Sequence, residues 1–271
     1  MMRRRWIQWM YFLGSNAYVK GFMDGKIFKG ISKHVCVPGL QCYSCPGALG
    51  ACPLGALQAV MGSMKYQFSL YVSGFLVLFG TVFGRVICGY LCPFGLIQDL
   101  MYRLKSPKWQ LPKVMRKVKI LVLLIFVIFI PTVLVNAVGA GDPGFCKYIC
   151  PSGTFFGALP LMAKNPALSR AAGGLFFWKA GLLVVILIAS IFVYRIFCQM
   201  LCPLGLLYGM FNRVSILGLK VDEDRCNHCG ACKSACKLGL NPAEDLIRID
   251  CIQCGECKEK CHKNAIERKI L

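Results

Sequence analysis

The sequence predicts two units of different class. Residues 1–220 form an all-α membrane module of four spans and two re-entrant half-helices with a parallel internal repeat, and residues 221–271 form a small cysteine-rich α+β domain. Three observations predict this. The chain is 56% hydrophobic and only 16% charged over 271 residues, below the roughly 25% charge of soluble domains. Two near copies, "RVICGYLCPFG" at 85–95 and "RIFCQMLCPLG" at 195–205, recur 110 residues apart. After Leu219 the apolar runs stop, and charge density rises abruptly at "KVDEDRC".

A hydrocarbon core of ~30 Å needs about 20 apolar residues, with ~17 near the lower limit. Four segments qualify: 6–23, weakened by Asn16 and Lys20 near its end, then 67–84, 120–139 and 175–194. The "MMRRRWIQWMYFLGS" that contains the start of the first imitates a signal peptide. Its apolar stretch is short and no A-x-A-like site follows, so it reads as mature sequence. Between the first and second spans lies "GALGACPLGALQAVMGSM" (47–64), and between the third and fourth lies "SGTFFGALPLMA" (152–163). Both are uncharged, follow a Cys-Pro and suit half-helices that dip into a membrane, where protein must cover any non-helical backbone.

Charge sets the expected orientation. The net charge is +20, and residues 1–220 hold 23 Lys and Arg against Asp24, Asp99 and Asp142, while the tail holds 9 of each sign. A basic surplus beside apolar runs reads as topogenic charge rather than a nucleic-acid surface. Eight Lys and Arg between Arg85 and Lys119, with Arg3, Arg4 and Arg5, mark the cytoplasmic side. Four crossings then put 24–66 and 140–174 outside, and the N-terminus and the tail inside. The repeat halves, about 1–110 and 111–215, each run basic cluster, span, outer cysteines, half-helix, span, Arg-x2-Cys-x3-Cys-Pro. Parallel repeats of this kind pack around a pseudo-twofold axis along the membrane normal.

The strongest motif is in the tail. "CNHCGACKSAC" supplies Cys226, Cys229, Cys232 and Cys236, and "CIQCGECKEKC" supplies Cys251, Cys254, Cys257 and Cys261. Two C-x2-C-x2-C-x3-C runs in tandem are the signature of a bacterial two-cluster ferredoxin, in which the fourth cysteine of each run serves the other cluster. Cys226, Cys229, Cys232 and Cys261 are therefore expected to hold one 4Fe-4S cluster, and Cys251, Cys254, Cys257 and Cys236 the second. Gly230 and Gly255 allow the tight turns that let three thiolates converge. A zinc domain would use four ligands per ion in paired C-x2-C form, which this order does not follow. Lys237 and His262 stand where such ferredoxins usually carry Pro, a departure that bears on potential and turn geometry more than on ligation.

In the apolar module, Cys88 and Cys92 fall on one face of a helix at i and i+4, as do Cys198 and Cys202. Pro93 and Pro203 suit the first turn of a following helix, where a missing N–H is harmless. Pseudo-twofold symmetry would bring these four thiols to one inner site, for an iron–sulfur cluster or a structural zinc ion. On the outer side lie Cys36, Cys42, Cys45 and Cys52 from the first half, with Cys146 and Cys150 from the second. Four of these are expected in an outer site, drawn from Cys42, Cys45, Cys52, Cys146 and Cys150 or including Cys36; a disulfide is the competing reading. Arg85 and Arg195 precede their cysteines by three residues. They read either as cations snorkelling to the cytoplasmic interface or as compensation for an all-thiolate cluster.

Absences narrow the function. The only histidines are His34, His228 and His262, and no Asp or Glu lies inside a predicted span. A bis-histidine membrane haem and a proton relay lose their ligands, and no Rossmann fingerprint or phosphate loop is present.

The two C-x3-C-P motifs, Cys88 to Pro93 and Cys198 to Pro203, followed by the tandem tail runs, resemble the membrane polyferredoxin family. Its members include the membrane iron–sulfur subunit of periplasmic nitrate reductase systems, an accessory protein of nitrous oxide reductase and an accessory reductase of cytochrome oxidase. The "CYSCPGALGACP" block and Cys146 to Pro151 depart from its simpler members. The resemblance implies electron transfer between a cytoplasmic donor or the quinone pool and a membrane or outer-side redox partner. It also implies the inner membrane as location, and a flavin-bearing or ferredoxin/flavodoxin partner. Two 4Fe-4S clusters in the tail and one or two further iron–sulfur clusters in the membrane module are the expected cofactors. The chain is read as a redox carrier, with a place as subunit of a quinol dehydrogenase left open. Two rivals remain: a metal-handling or maturation factor whose outer cysteines bind a soft ion such as copper, and a ferredoxin on a passive anchor, which leaves ten cysteines unexplained.

Overall fold

Cys-Pro steps set the local architecture. Proline's fixed φ suits the first helical position, and the Cys-Pro steps at 52, 92 and 202 each begin a helix with the cysteine as N-cap. The computed structural model describes residues 2–63, 70–135, 141–246 and 248–270. Its helices in chain order are α1 (Met2–Ser15), α2 (Pro53–Gly62), α3 (Leu70–Phe83), α4 (Val86–Tyr90) and α5 (Pro93–Met101). Next come α6 (118–133, π-wound at Leu123–Phe129), α7 (Gly144–Tyr148) and α8 (151–164, π-wound at Gly153–Ala158). Then follow α9 (Gly174–Phe192), α10 (Ile196–Met200) and α11 (Pro203–Met210). In the tail, β1 (Leu217–Val221) and β2 (Ile266–Ile270) pair antiparallel from Leu217↔Ile270 to Val221↔Ile266. Three short helices lie between these strands, among them α12 (Ala231–Ala235) and α13 (Glu256–Glu259); the third is Pro242–Asp245.

The expected four-span module is not what the chain forms. Among the described residues one helix, α9, is long and apolar enough to cross a membrane, at 19 residues, or about 28 Å at ~1.5 Å per residue. Of the other three segments, two stop short for local reasons. The segment 6–23 breaks after Ser15, where the Asn16 side chain bonds back to the Phe12 carbonyl at 3.0 Å. In 67–84 the described helix has 14 residues, and the first three residues of that segment lie outside the described residues. In 120–139 the helix is π-wound and turns extended at Leu134, soon after Pro131; the last four residues lie outside the described residues. The half-helices expected at 47–64, whose last residue is also outside, and at 152–163 are α2 and α8. Without four spans around them they are core helices rather than re-entrant ones: α2 buries Leu54, Leu57, Gln58 and Val60.

Several cations read as topogenic have another task. Arg4, Arg116 and Lys119 are buried. Arg4 pairs with Asp99 at 3.1 Å and Glu256 at 3.7 Å. Arg116 donates to the Leu238 carbonyl and Lys119 pairs with Asp250. All three tie the helical module to the tail.

The main core is rich in sulfur: Cys45, Cys52, Cys88, Cys92, Cys150, Cys198 and Cys202 pack with Leu54, Phe94, Phe145, Phe197 and Tyr208. A smaller core of Leu219, Leu246, Cys257 and Ile266 holds the tail together. Apolar side chains also remain exposed on α1 (Trp6, Met10), α3 (Leu70, Leu78), α6 (Leu121, Phe129) and α9 (Phe177, Val185).

Candidate metal centres

The tail cysteines face two cavities. One, of about 290 Å³, is lined by Cys226, Cys229, Cys232 and Cys261; a smaller one, of about 20 Å³, is lined by Cys236, Cys251, Cys254 and Cys257. Each cavity thus takes three cysteines from one run and the last cysteine of the other. Gly230 and Gly255 sit at φ +75° and +82° at the head of α12 and α13, a conformation in which a Cβ is strained. Burial pushes the Cys251 and Cys257 thiols up to about 12, so an empty site holds neutral thiols and cation binding must draw off their protons. Among the described residues no three His, Cys, Asp or Glu side chains converge as ligands of a single ion do. The larger cavity, with four cysteines around it, has room for a polynuclear group.

The two near copies that recur along the chain form a pair in space. Cys88, Cys92, Cys198 and Cys202 are all buried. Gln98 on α5 joins the copies, donating from Nε2 to the Cys198 sulfur at 3.1 Å and accepting the Phe197 N–H at 3.1 Å. Backbone N–H groups of Gly95 and Gly205 point at the sulfurs of Cys92 and Cys202, each at 3.4 Å.

Arg85 and Arg195 cross between the copies. Arg85 donates to the Cys198 carbonyl at 3.1 Å, and Arg195 donates to the Cys88 carbonyl. They are 1% and 0% exposed, which overturns the reading of interfacial, snorkelling cations. Their partners differ. Arg195 forms a bidentate pair with Asp99 at 2.7 and 2.6 Å. Burial alone would raise the Asp99 carboxyl, but Arg195 and Arg4 hold it below its usual value. Position 209, the counterpart of 99 in the second copy, is glycine, and Arg85 instead donates to the Ile249 carbonyl of the tail. Among the described residues Arg85 has no carboxylate partner. Its Nε and the Tyr208 hydroxyl are buried without a hydrogen-bond partner, and both groups lie within electrostatic reach of Cys88. Buried donors left open around thiols fit a group that accepts through sulfur.

The tail docks on this pair. The Tyr90 hydroxyl donates to the Cys254 carbonyl at 3.4 Å, and Asn212 donates to the carbonyls of Arg248 and Cys251 at 3.0 and 2.9 Å. A Cβ on Gly89 would meet the Ile252 carbonyl at 2.7 Å. The segment that lines the smaller cavity, Cys251 to Cys254, therefore packs on the helix that carries Cys88.

Of the six outer cysteines, the chain brings Cys42, Cys52, Cys146 and Cys150 within electrostatic reach of one another. Cys45 also lies within electrostatic reach of Cys42, with its thiol bonded to Asn16, while Cys36 is buried on a bridge to Ala51. None of the 18 cysteines forms a disulfide. Sequence reasoning missed Gln58, Gln98 and Asp99. A signal for the two glutamines exists: C-P-x-G-x-x-Q occurs at 52–58 and again at 92–98.

Comparison with known proteins places these motifs. A 4Fe-4S binding domain family model matches three times, at 67–112, 120–165 and 175–221, and a second 4Fe-4S binding domain model matches 219–239. Each of the three matches pairs a helix, α3, α6 or α9, with a Cys-x3-Cys-Pro step, so the repeating unit is about half the 110 residues first read. The chain is similar to the uncharacterized protein MJ0750 of Methanocaldococcus jannaschii, 30% identical over 70% of this chain and 74% of that one. It is also similar to MJ0749 of the same organism, 28% identical over 70% and 66%. The ferredoxin-type protein NapH of Haemophilus influenzae is 26% identical over 71% of this chain and 65% of its own length. No solved structure matches.

Proposed function

The chain belongs to the family described by the 4Fe-4S binding domain model that recurs at 67–112, 120–165 and 175–221, and on that premise we propose that it is a membrane-associated electron carrier. Its thiol sites form a series from the tail to the outer side of the module. In this reading Cys226, Cys229, Cys232 and Cys261 hold one 4Fe-4S cluster, and Cys236, Cys251, Cys254 and Cys257 hold another. Cys88, Cys92, Cys198 and Cys202 hold a further iron–sulfur group. Such clusters supply reversible one-electron storage when bound. The chain's own residues supply thiolates, exclude water and set the local charge.

One observation carries the proposal. The Arg85 guanidinium bonds the Cys198 carbonyl of the inner site and the Ile249 carbonyl of the tail, so a single buried cation joins two neighbouring thiol sites. Gly89, Tyr90 and Asn212 hold the same contact close. A tail on a passive anchor would need none of this.

Membrane association is supported by α9 and by the exposed apolar side chains of α1, α3 and α6. Exposed Arg103, Lys105 and Lys108, held at the C-terminal end of α9 by the bonds of Ser106 and Lys108 to the Ile191 carbonyl, support a cytoplasmic tail by the positive-inside rule. The ferredoxin-type name of NapH supports a redox protein as partner, flavin-bearing or of ferredoxin type, with quinone as the alternative source of electrons.

The test is electron storage and release by full-length protein. Anaerobically purified protein is reduced with dithionite, freed of excess reductant and titrated with ferricyanide. The reading predicts more than two electrons released per chain, and fewer in a Cys88→Ala/Cys198→Ala variant. Release of two electrons or fewer from the wild type refutes it.

A further inference from the structure

The outer thiols sit on a scaffold that repeats the inner one with one ligand changed. Gln98 follows Cys92 by six residues, and Gln58 follows Cys52 by six. Gln58 donates from Nε2 to the Cys146 sulfur at 3.1 Å and accepts the Phe145 N–H at 2.9 Å. Gln98 does the same to Cys198 and Phe197. Both amides are 0% exposed. The N–H groups of Gly55 and Gly153 act electrostatically on the Cys52 and Cys150 sulfurs, without the hydrogen bond that Gly95 and Gly205 make to Cys92 and Cys202. All four belong to Cys-Pro-x-Gly steps, at 52–55, 92–95, 150–153 and 202–205.

Cations complete the correspondence. In the inner site Arg85 reaches the Cys198 carbonyl and Arg195 the Cys88 carbonyl. In the outer site Lys179 reaches the Cys146 carbonyl at 3.0 Å, and buried Lys33 reaches the Ala48 carbonyl at 2.8 Å. Cys52 thus matches Cys92, Cys146 matches Cys198 and Cys150 matches Cys202. By its four-residue offset from Cys52 and its carbonyl bond to Lys33, Ala48 answers to Cys88, although on a non-helical segment, so the template alone yields three thiols.

Cys42 is placed to restore the fourth. Its sulfur lies 3.6 and 3.4 Å from where a Cβ would stand on Gly153 and Gly157, against the helix that Cys150 begins. Of the other two candidates, Cys45 has its thiol engaged and Cys36 has its backbone tied. The Cys45 thiol donates its proton to the Asn16 side-chain oxygen at 3.3 Å. The Cys36 N–H donates to the Tyr71 hydroxyl at 3.1 Å, on the short bridge between Cys36 and Ala51.

We propose that Cys42, Cys52, Cys146 and Cys150 hold an iron–sulfur cluster at the outer site, Cys42 replacing the ligand that Ala48 removes, while Cys36 and Cys45 remain thiols. Gln58 is a positioning residue that orients the Cys146 sulfur. Lys33 and Lys179 provide two positive charges where the inner site has two arginines, balancing four thiolates. This deepens the electron-carrier reading and rests on it, since it assigns the far end of the series.

The test counts iron and acid-labile sulfide per chain in anaerobically reconstituted full-length protein, with electron paramagnetic resonance of the tail clusters as a folding control. Cys42→Ala is expected to lose one cluster's worth of iron and sulfide while the tail signals persist. Cys36→Ala and Cys45→Ala are expected to keep the full wild-type content. Ala48→Cys in the Cys42→Ala background is expected to regain the lost cluster, since it returns the ligand to its position in the template. Full iron in Cys42→Ala, a cluster lost from Cys36→Ala or Cys45→Ala, or no recovery in the double variant overturns the assignment and leaves the carrier reading standing. Wild-type protein with the tail clusters alone overturns both.

Discussion

Arg85→Gln isolates the electrostatic role of the inner site. Arg85 is 1% exposed, lies 3.1 Å from the Cys198 carbonyl and has no carboxylate among the described residues. Its charge therefore acts on whatever charge the thiolates gather. A guanidinium ~7 Å from the centre of that site, at an effective dielectric of ~20, contributes about 2 kcal/mol per unit charge. For a one-electron couple this is about 100 mV. Because the added electron makes the site more negative, Arg85 stabilises the reduced form, and its removal must lower the potential. Arg85→Lys keeps the charge while losing the planar fork, and is expected to stay within ~30 mV of wild type on the same Coulomb scale. The assay is an anaerobic redox titration of full-length protein followed by electron paramagnetic resonance. A potential unchanged in Arg85→Gln, or a fall of the same size in Arg85→Lys, refutes the reasoning.

Other residues test other links. Gln98→Leu and Gln58→Leu each remove an amide that donates to a cysteine sulfur at 3.1 Å. Hydrogen bonds to sulfur favour the reduced form, so each variant is expected to lower one potential, that of the inner site or of the outer site respectively, in the same titration. Asp99→Asn leaves buried Arg195 without its bidentate partner and is expected to cost about 3–5 kcal/mol, read as a lower thermal midpoint. Since Asp99 is held below its usual value, the wild-type pair stabilises above pH ~4, the ordinary carboxylate value. That contribution is lost as pH falls through the depressed value, and the Asn variant lacks this acid limb. Gly89→Ala places a Cβ 2.7 Å from the Ile252 carbonyl. It is expected to loosen the docked tail, seen as faster proteolysis after Arg248 with the tail cluster signals intact.

What could be read from the sequence follows from how local each signal is. The tail runs place three cysteines within one turn-rich loop, so spacing alone suggests which thiols share a cavity, and the cavities are lined accordingly. The expectation that Cys88 and Cys92 pair with Cys198 and Cys202 came from two copies that share six of eleven residues, both cysteines included. Spans were misjudged because apolar composition says nothing of where a helix stops. Asn16 caps back onto Phe12, Leu134 turns extended, and α6 adopts π turns, none of which a count of apolar residues detects. The arginines were misjudged for a related reason. A cation beside an apolar run looks interfacial until its partner is known, and Asp99 and Ile249 are distant in sequence from Arg195 and Arg85. The glutamines carried a repeated motif, yet its meaning depends on sulfurs 88 and 100 residues away.

The central claim is that the apolar module, and not only the tail, holds iron. The most direct measurement is the number of distinct cluster signals, together with iron and acid-labile sulfide, in anaerobically purified full-length protein. The account predicts four clusters per chain, two of which disappear when residues 221–271 lose their eight cysteines to alanine. A content well below three clusters, or zinc in place of iron at Cys88, Cys92, Cys198 and Cys202, contradicts it.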